Sequence, residues 1–118
     1  MMRHPRQRVL VINNGSVFDT SMLQLLAMAS ELEVSETTLA DEAEFLAAVI
    51  GFAPGTIIIN DSERADSGRL LQLLKDCQPG HRLRVLVIRM DDNTIEQYEI
   101  KQVVAMESAD LVALIRRE

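Results

Sequence analysis

Four consecutive apolar residues, Val9-Leu10-Val11-Ile12, open the patterned part of the chain and stop at Asn13-Asn14-Gly15. A run that is aliphatic on both faces predicts a central strand of a parallel sheet, covered by helices on either side. Phe18, Met22, Leu25, Leu26, Ala29 and Leu32 then recur at spacings of three and four, which predicts an amphipathic helix. From Leu32 to Thr38 apolar and polar residues alternate, the pattern of a half-exposed edge strand. Asp41 starts a second helix with Ala43, Leu46, Ala47 and Ile50 on one face, and Ala53-Pro54-Gly55 ends it.

The buried-strand pattern returns at Thr56 to Ile59, followed by Asn60-Asp61, and again at Val85-Leu86-Val87-Ile88, followed by Arg89 to Asp92. Between them Leu70, Leu71, Leu73 and Leu74 mark a third helix closed by Gln78-Pro79-Gly80. Thr94 to Lys101 fits two patterns. Thr94 and Gln97 are placed as a capping box for a short helix, whereas Tyr98 and Ile100 alternate as in a strand. Val103 to Ala105 reads as a last short strand, and Ser108 caps a final helix carrying Leu111, Val112, Leu114 and Ile115. Strands alternating with helices predict a three-layer, doubly wound α/β domain on a five-stranded parallel sheet, with the fourth helix shortened or irregular. Residues 1–8 form a basic amino-terminal tail and residues 9–118 the domain. The functional edge of such a sheet lies at the carboxyl ends of its strands, here Asn13 and Asn14, Asn60 and Asp61, Arg89 to Asp92, and Ala105 to Glu107.

Length and composition narrow this picture without redirecting it. A chain of 118 residues has room for one core. Its 47% hydrophobic and 25% charged residues are ordinary for a globular domain and set aside disorder and fibrous repeats. Cys77 is the single cysteine, so the chain has no internal disulfide and no cysteine cluster for zinc. The apolar run after the basic start is too short for a signal peptide or a membrane span, which makes a cytoplasmic location the expectation.

Charge changes the picture more. The net charge is −6, with 12 basic and 18 acidic residues, and it is unevenly spread. Residues 9–63 hold nine acids (Asp19, Glu31, Glu33, Glu36, Asp41, Glu42, Glu44, Asp61 and Glu63) and no base, while residues 64–118 hold nine of each sign. A nucleic-acid module presents a continuous basic face, so nucleic-acid binding is not expected. The acidic half is either a solvated surface or a docking face for a basic protein partner.

At the strand ends the chain resembles a response-regulator receiver domain of the CheY-like kind, from about Val9 to Arg117. Leu10-Val11-Ile12-Asn13-Asn14 has the shape of that family's first strand, and Pro54-Gly55-Thr56-Ile57-Ile58-Ile59-Asn60 that of its third. The resemblance places Asn13 and Asn14 at the acidic pair that holds magnesium and Asn60 at the phosphate acceptor. Gly68, eight residues after Asn60, matches the Asp-Gly of the family's next loop. Arg89 falls at the family's Ser or Thr position and Ala105 at its Lys position, while Glu63-Arg64 replaces the Met-Pro after the acceptor. Neutral amides hold a hard cation such as magnesium poorly, an amide is no nucleophile toward phosphorus, and Arg89 brings a fixed positive charge.

The resemblance therefore implies a pseudo-receiver, a phosphorylation-independent interaction module in a two-component-type pathway. It would be no enzyme, would need no cofactor or metal, and would have no membrane association. Self-association through the last strands and final helix is a further expectation. A shift of register by one residue, as at a bulge, would make Asp61 the acceptor and the domain a working receiver. A small-ligand sensor at the strand-end pocket is the third reading. His4 and His81 lack partners at ligand spacing, Gly15 stands outside any phosphate-binding glycine motif, and the aromatic content of 3% offers few platforms for a flavin.

Overall fold

The computed structural model describes residues 6–60, 65–77, 82–89 and 94–100. They form eight elements: β1 (Gln7–Ile12), α1 (Val17–Ala27), β2 (Leu32–Thr37), α2 (Glu42–Phe52), β3 (Thr56–Asn60), α3 (Ala65–Cys77), β4 (Leu83–Arg89) and β5 (Thr94–Ile100). The result is a small α/β domain with one five-stranded sheet and three helices among the described residues. The strands lie in the order β2-β1-β3-β4-β5.

The apolar runs form the middle of this sheet. Val9, Leu10, Val11 and Ile12 of β1 are all buried, as are Thr56 to Ile59 of β3, because helices cover both faces. On one face Leu10, Ile12, Ile57, Ile59, Leu83, Val85 and Val87 pack against Phe45 and Val49 of α2 and Leu70 and Leu74 of α3. On the other, Val9, Val11 and Ile58 pack against Met22, Leu23 and Leu26 of α1. Alternation of side chains along each strand thus sorts the two cores, and it fixes the face on which every strand-end residue stands.

Helix ends follow local chemistry. Ser16 caps α1, its Oγ accepting from the Asp19 N–H at 3.0 Å. Asp41 caps α2 through an Oδ1 bond from the Glu44 N–H at 3.1 Å. Ala53 closes α2 in the left-handed conformation, φ 51°, immediately before Pro54. Helix α1 is shorter than its periodicity predicts. Turn bonds from Met28 N–H to the Leu25 carbonyl and from Ala29 N–H to that of Leu26 end it, and Leu32 serves instead as the first residue of β2. Among the described residues that strand pairs with β1 alone, from Gln7–Leu32 to Ile12–Thr37, and is the edge strand that alternation predicts.

The fifth strand corrects the expected sheet. β2, β1, β3 and β4 are mutually parallel, but β5 runs antiparallel to β4, from Leu83–Ile100 to Arg89–Thr94. The sheet is mixed, not all-parallel, and Thr94–Ile100, one of whose two patterns is that of a short helix, is a strand. The physical reason is the length of the connection. Only residues 90–93 separate β4 from β5, and a parallel crossover needs a dozen or more, so the chain can only turn back on itself. Of the two patterns carried by Thr94 to Lys101, the alternation of Tyr98 and Ile100 prevails. The short strand expected at Val103 to Ala105 and the helix expected after Ser108 lie outside the described residues. Among the described residues, no helix is long and apolar enough to cross a membrane.

Candidate functional site

The residues of interest gather at the carboxyl ends of the parallel strands. Asn13 follows the last residue of β1, Asn60 ends β3 and Arg89 ends β4. Asp61 and Ala105 lie outside the described residues. Continuing the β1–β3 register from Val11–Ile58 by two positions sets Asn13 level with Asn60. Asn60 stands on the α1 face of the sheet, since Ile59 beside it belongs to the opposite core, while Asn13 is the first residue past β1.

Asn13 and Asn14 spend their amides on structure. Asn13 Oδ1 accepts the Gly15 N–H at 2.9 Å, an Asx turn that carries the chain into Gly15 at φ 91°, and its Nδ2 donates to Glu36 Oε2 at 3.3 Å. Asn14 Oδ1 accepts from the Thr38 hydroxyl at 3.4 Å, while its backbone N–H donates to Asp19 Oδ2 at 3.0 Å. Asp19 is 4% exposed. It ties the loop after β1 to the first turn of α1, where its charge also complements the positive end of the helix. Asn60 is half-buried, and its Oδ1 is enclosed without a hydrogen-bond partner.

The structure does not bring Arg89 to these amides. Arg89 shares the face of Val85 and Val87, the α3 side, whereas Asn60 is paired with Ile88 and stands on the other. Arg89 is buried, and its Nε donates to Glu96 Oε1 of β5. Glu96 Oε2 in turn accepts from the Tyr98 hydroxyl at 2.6 Å. That bond holds the Tyr98 phenol above its ordinary value, with burial and the Glu96 charge adding to the effect. Arg89 is thus committed to an ion pair with β5. The antiparallel β5, which the sequence pattern left open, is what supplies its carboxylate.

A cavity of about 200 Å³ opens beside Asn13, lined by Asn13, Glu36, Thr37, Thr38 and Glu44. Only Asn13 of this set is a strand-end residue that the sequence singles out. Thr37 ends the edge strand β2 and Thr38 follows it, and Glu44 lies in the first turn of α2. The one signal for them in the sequence is the unbroken acidic stretch, which contains both glutamates. No group of three or more His, Cys, Asp or Glu side chains suited to a metal occurs among the described residues.

Other acids of that stretch are matched by arginines from outside it. Arg8 Nε meets Glu33 Oε2 at 3.0 Å, and Arg69 Nη2 meets Glu42 Oε1 at 2.8 Å. At the opposite end of the sheet a second cavity, about 240 Å³, is lined by Gly55, Arg82, Arg84 and Glu99.

Comparison with known proteins returns no matching family model, no matching curated protein and no matching solved structure. Fold and described residues together give a small α/β domain with Asn13, Asn14 and Asn60 at its strand ends and an acidic cavity beside the first of them.

Proposed function

We propose that this chain is a pseudo-receiver, a phosphorylation-independent module that acts by binding a protein partner in a cytoplasmic signalling pathway and has no catalytic activity of its own. The observation that carries this reading is the use of Asn13, Asn14 and Asn60 at the strand ends. In the receiver resemblance these positions hold the acids that bind magnesium and accept phosphate. Here they are amides, and the first two are occupied in hydrogen bonds that shape the loop after β1.

The strand order β2-β1-β3-β4 is that of the first four strands of a flavodoxin-like sheet, and it supports the receiver comparison for that part of the chain. The antiparallel β5 departs from it. Arg89 bears on the same reading, because its guanidinium forms an ion pair with Glu96 of β5. Self-association through the carboxyl-terminal part of the chain belongs to the same proposal.

Incubation of the protein with magnesium and acetyl phosphate, followed by intact-mass measurement, tests the reading. The expected result is an unchanged mass. A stoichiometric phosphoryl adduct that disappears in Asp61→Asn would overturn it in favour of a working receiver with Asp61 as acceptor.

A further inference from the structure

We propose that the cavity at the carboxyl ends of β1 and β2 is a docking site for an arginine side chain of a protein partner, an inference that rests on the interaction role proposed above. The cavity, about 200 Å³, is smaller than the roughly 300–1,000 Å³ typical of sites that enclose a whole small molecule. It suits the head group of one side chain.

Among the described residues its lining is one-sided in charge, and of its two carboxylates Glu36 already accepts one hydrogen bond, from Asn13 Nδ2 at 3.3 Å. Glu36 and Glu44 contribute carboxylates, Thr37 and Thr38 hydroxyls and Asn13 an amide, and among the described residues no Lys or Arg lines the cavity. The neighbouring Glu33 and Glu42 have internal arginine partners. Asp41 has its carboxylate on the Glu44 N–H, capping α2. Among the described residues, neither Glu36 nor Glu44 has a cationic partner. Two carboxylates on one small cavity outweigh the roughly half positive charge of the α2 amino terminus.

A separate observation points to a missing donor. Thr37 lines the cavity and is 5% exposed, and its Oγ1 is buried with no hydrogen-bond partner. Thr37 is paired with Ile12, so its side chain stands on the α2 face, the side from which Glu44 contributes to the cavity. An unmatched buried hydroxyl is costly, and a ligand carrying several N–H donors would relieve it. A guanidinium presents five donors in a planar fork and matches carboxylates in pairs. Acceptors on both walls of the cavity suit that spread of donors better than a single ammonium point charge.

The test is an amide chemical-shift titration of the full chain with Ac-Gly-Arg-Gly-NH2, against Ac-Gly-Gln-Gly-NH2, spermidine and potassium chloride at matched ionic strength. Saturable shifts confined to Asn13, Glu36, Thr37, Thr38 and Glu44, seen with the arginine peptide and not with the glutamine peptide, support the proposal. At least a tenfold loss of affinity is expected in Glu36→Gln/Glu44→Gln. Thr37→Val, which keeps the shape and both carboxylates, should weaken the same binding and supplies the readout if the double variant does not fold. Shifts reproduced by potassium chloride, or unchanged in the variants, would overturn it. Binding of spermidine without the arginine peptide would also overturn it, assigning the cavity to a free polyamine. The titration reads arginine binding at the cavity, whereas the phosphodonor experiment reads phosphoryl transfer to the chain, so the two readings fail on different measurements.

Discussion

Replacing Thr37 by valine should make the protein more stable. The side chain is 5% exposed, its hydroxyl has no partner, and the residue ends a strand. Leaving a buried polar group unsatisfied costs about 1–3 kcal/mol, and the lower half of that range applies at the end of an edge strand. Valine fills nearly the same volume, keeps the β-branch favoured in strands and introduces no new polar atom. The expected gain is about 1–1.5 kcal/mol, which with a urea m-value of roughly 2 kcal/mol per molar raises the midpoint by about 0.5–0.75 M.

Urea denaturation followed by far-ultraviolet circular dichroism measures this directly, with the m-value required to stay constant. Thr56→Val is the matched contrast. Thr56 is equally buried, but its Oγ1 accepts from Arg84 Nη2 at 3.4 Å, so the same substitution removes a made hydrogen bond and should bring no gain. A lower midpoint for Thr37→Val would refute the reasoning, since it would mean that the hydroxyl is satisfied in the folded protein. A gain in stability joined to a loss of arginine-peptide binding would mark Thr37 as a residue kept at a cost to the fold for the sake of recognition.

Asp19→Ala should cost about 1–2 kcal/mol, somewhat below the roughly 1.5–3 kcal/mol of a hydrogen bond to a charged group because Asn14 is exposed and water can solvate its freed N–H. Asp19→Asn, which retains an acceptor, should lose less than half as much in the same urea assay, and equal losses would show that the Asn14 bond is not the cause. Tyr98 predicts a pH dependence: its folded pKa is raised above 10.0, first by the hydrogen bond to Glu96, so its stabilisation is complete below the unfolded value and is lost as pH rises through the folded one. Stability measured from about pH 9 to about pH 11 should therefore fall more steeply in the parent protein than in Tyr98→Phe, and parallel curves would contradict the assignment.

Local pattern carried much of the fold. Val9 to Ile12 and Ile57 to Ile59 are buried on both faces as their unbroken apolar character requires, and Asp41 and Ala53-Pro54 bound α2 through capping and φ restriction acting within a few residues. The direction of β5 was less legible. Thr94 to Lys101 satisfied both a helix-start pattern and a strand pattern, and the decision came from its neighbour: β4 offers a free edge, and the connection over residues 90–93 can reach it only by reversing.

The candidate site divides along the same line. Which residue types stand at the ends of β1 and β3 is readable from the chain, because an apolar run that stops abruptly at Asn13 or Asn60 marks its own end. Where those side chains are engaged is not. Arg89 at the end of β4 is a free cation in the sequence and half of an ion pair in the structure, since its partner Glu96 arrives on an antiparallel strand whose direction was not fixed by local pattern. The acidic stretch of residues 9–63 likewise states a charge and no geometry. Among the described residues packing gives it a buried carboxylate at Asp19, pairs at Glu33 and Glu42 met by arginines distant in the chain, and Glu36 and Glu44, neither with a cationic partner, beside one cavity. By itself the sequence determined the composition of each strand end, because burial on two faces is a property of consecutive residues. Only the tertiary structure decided which of those ends share a face, an ion pair or a cavity, because these depend on register and strand direction between segments far apart in the chain.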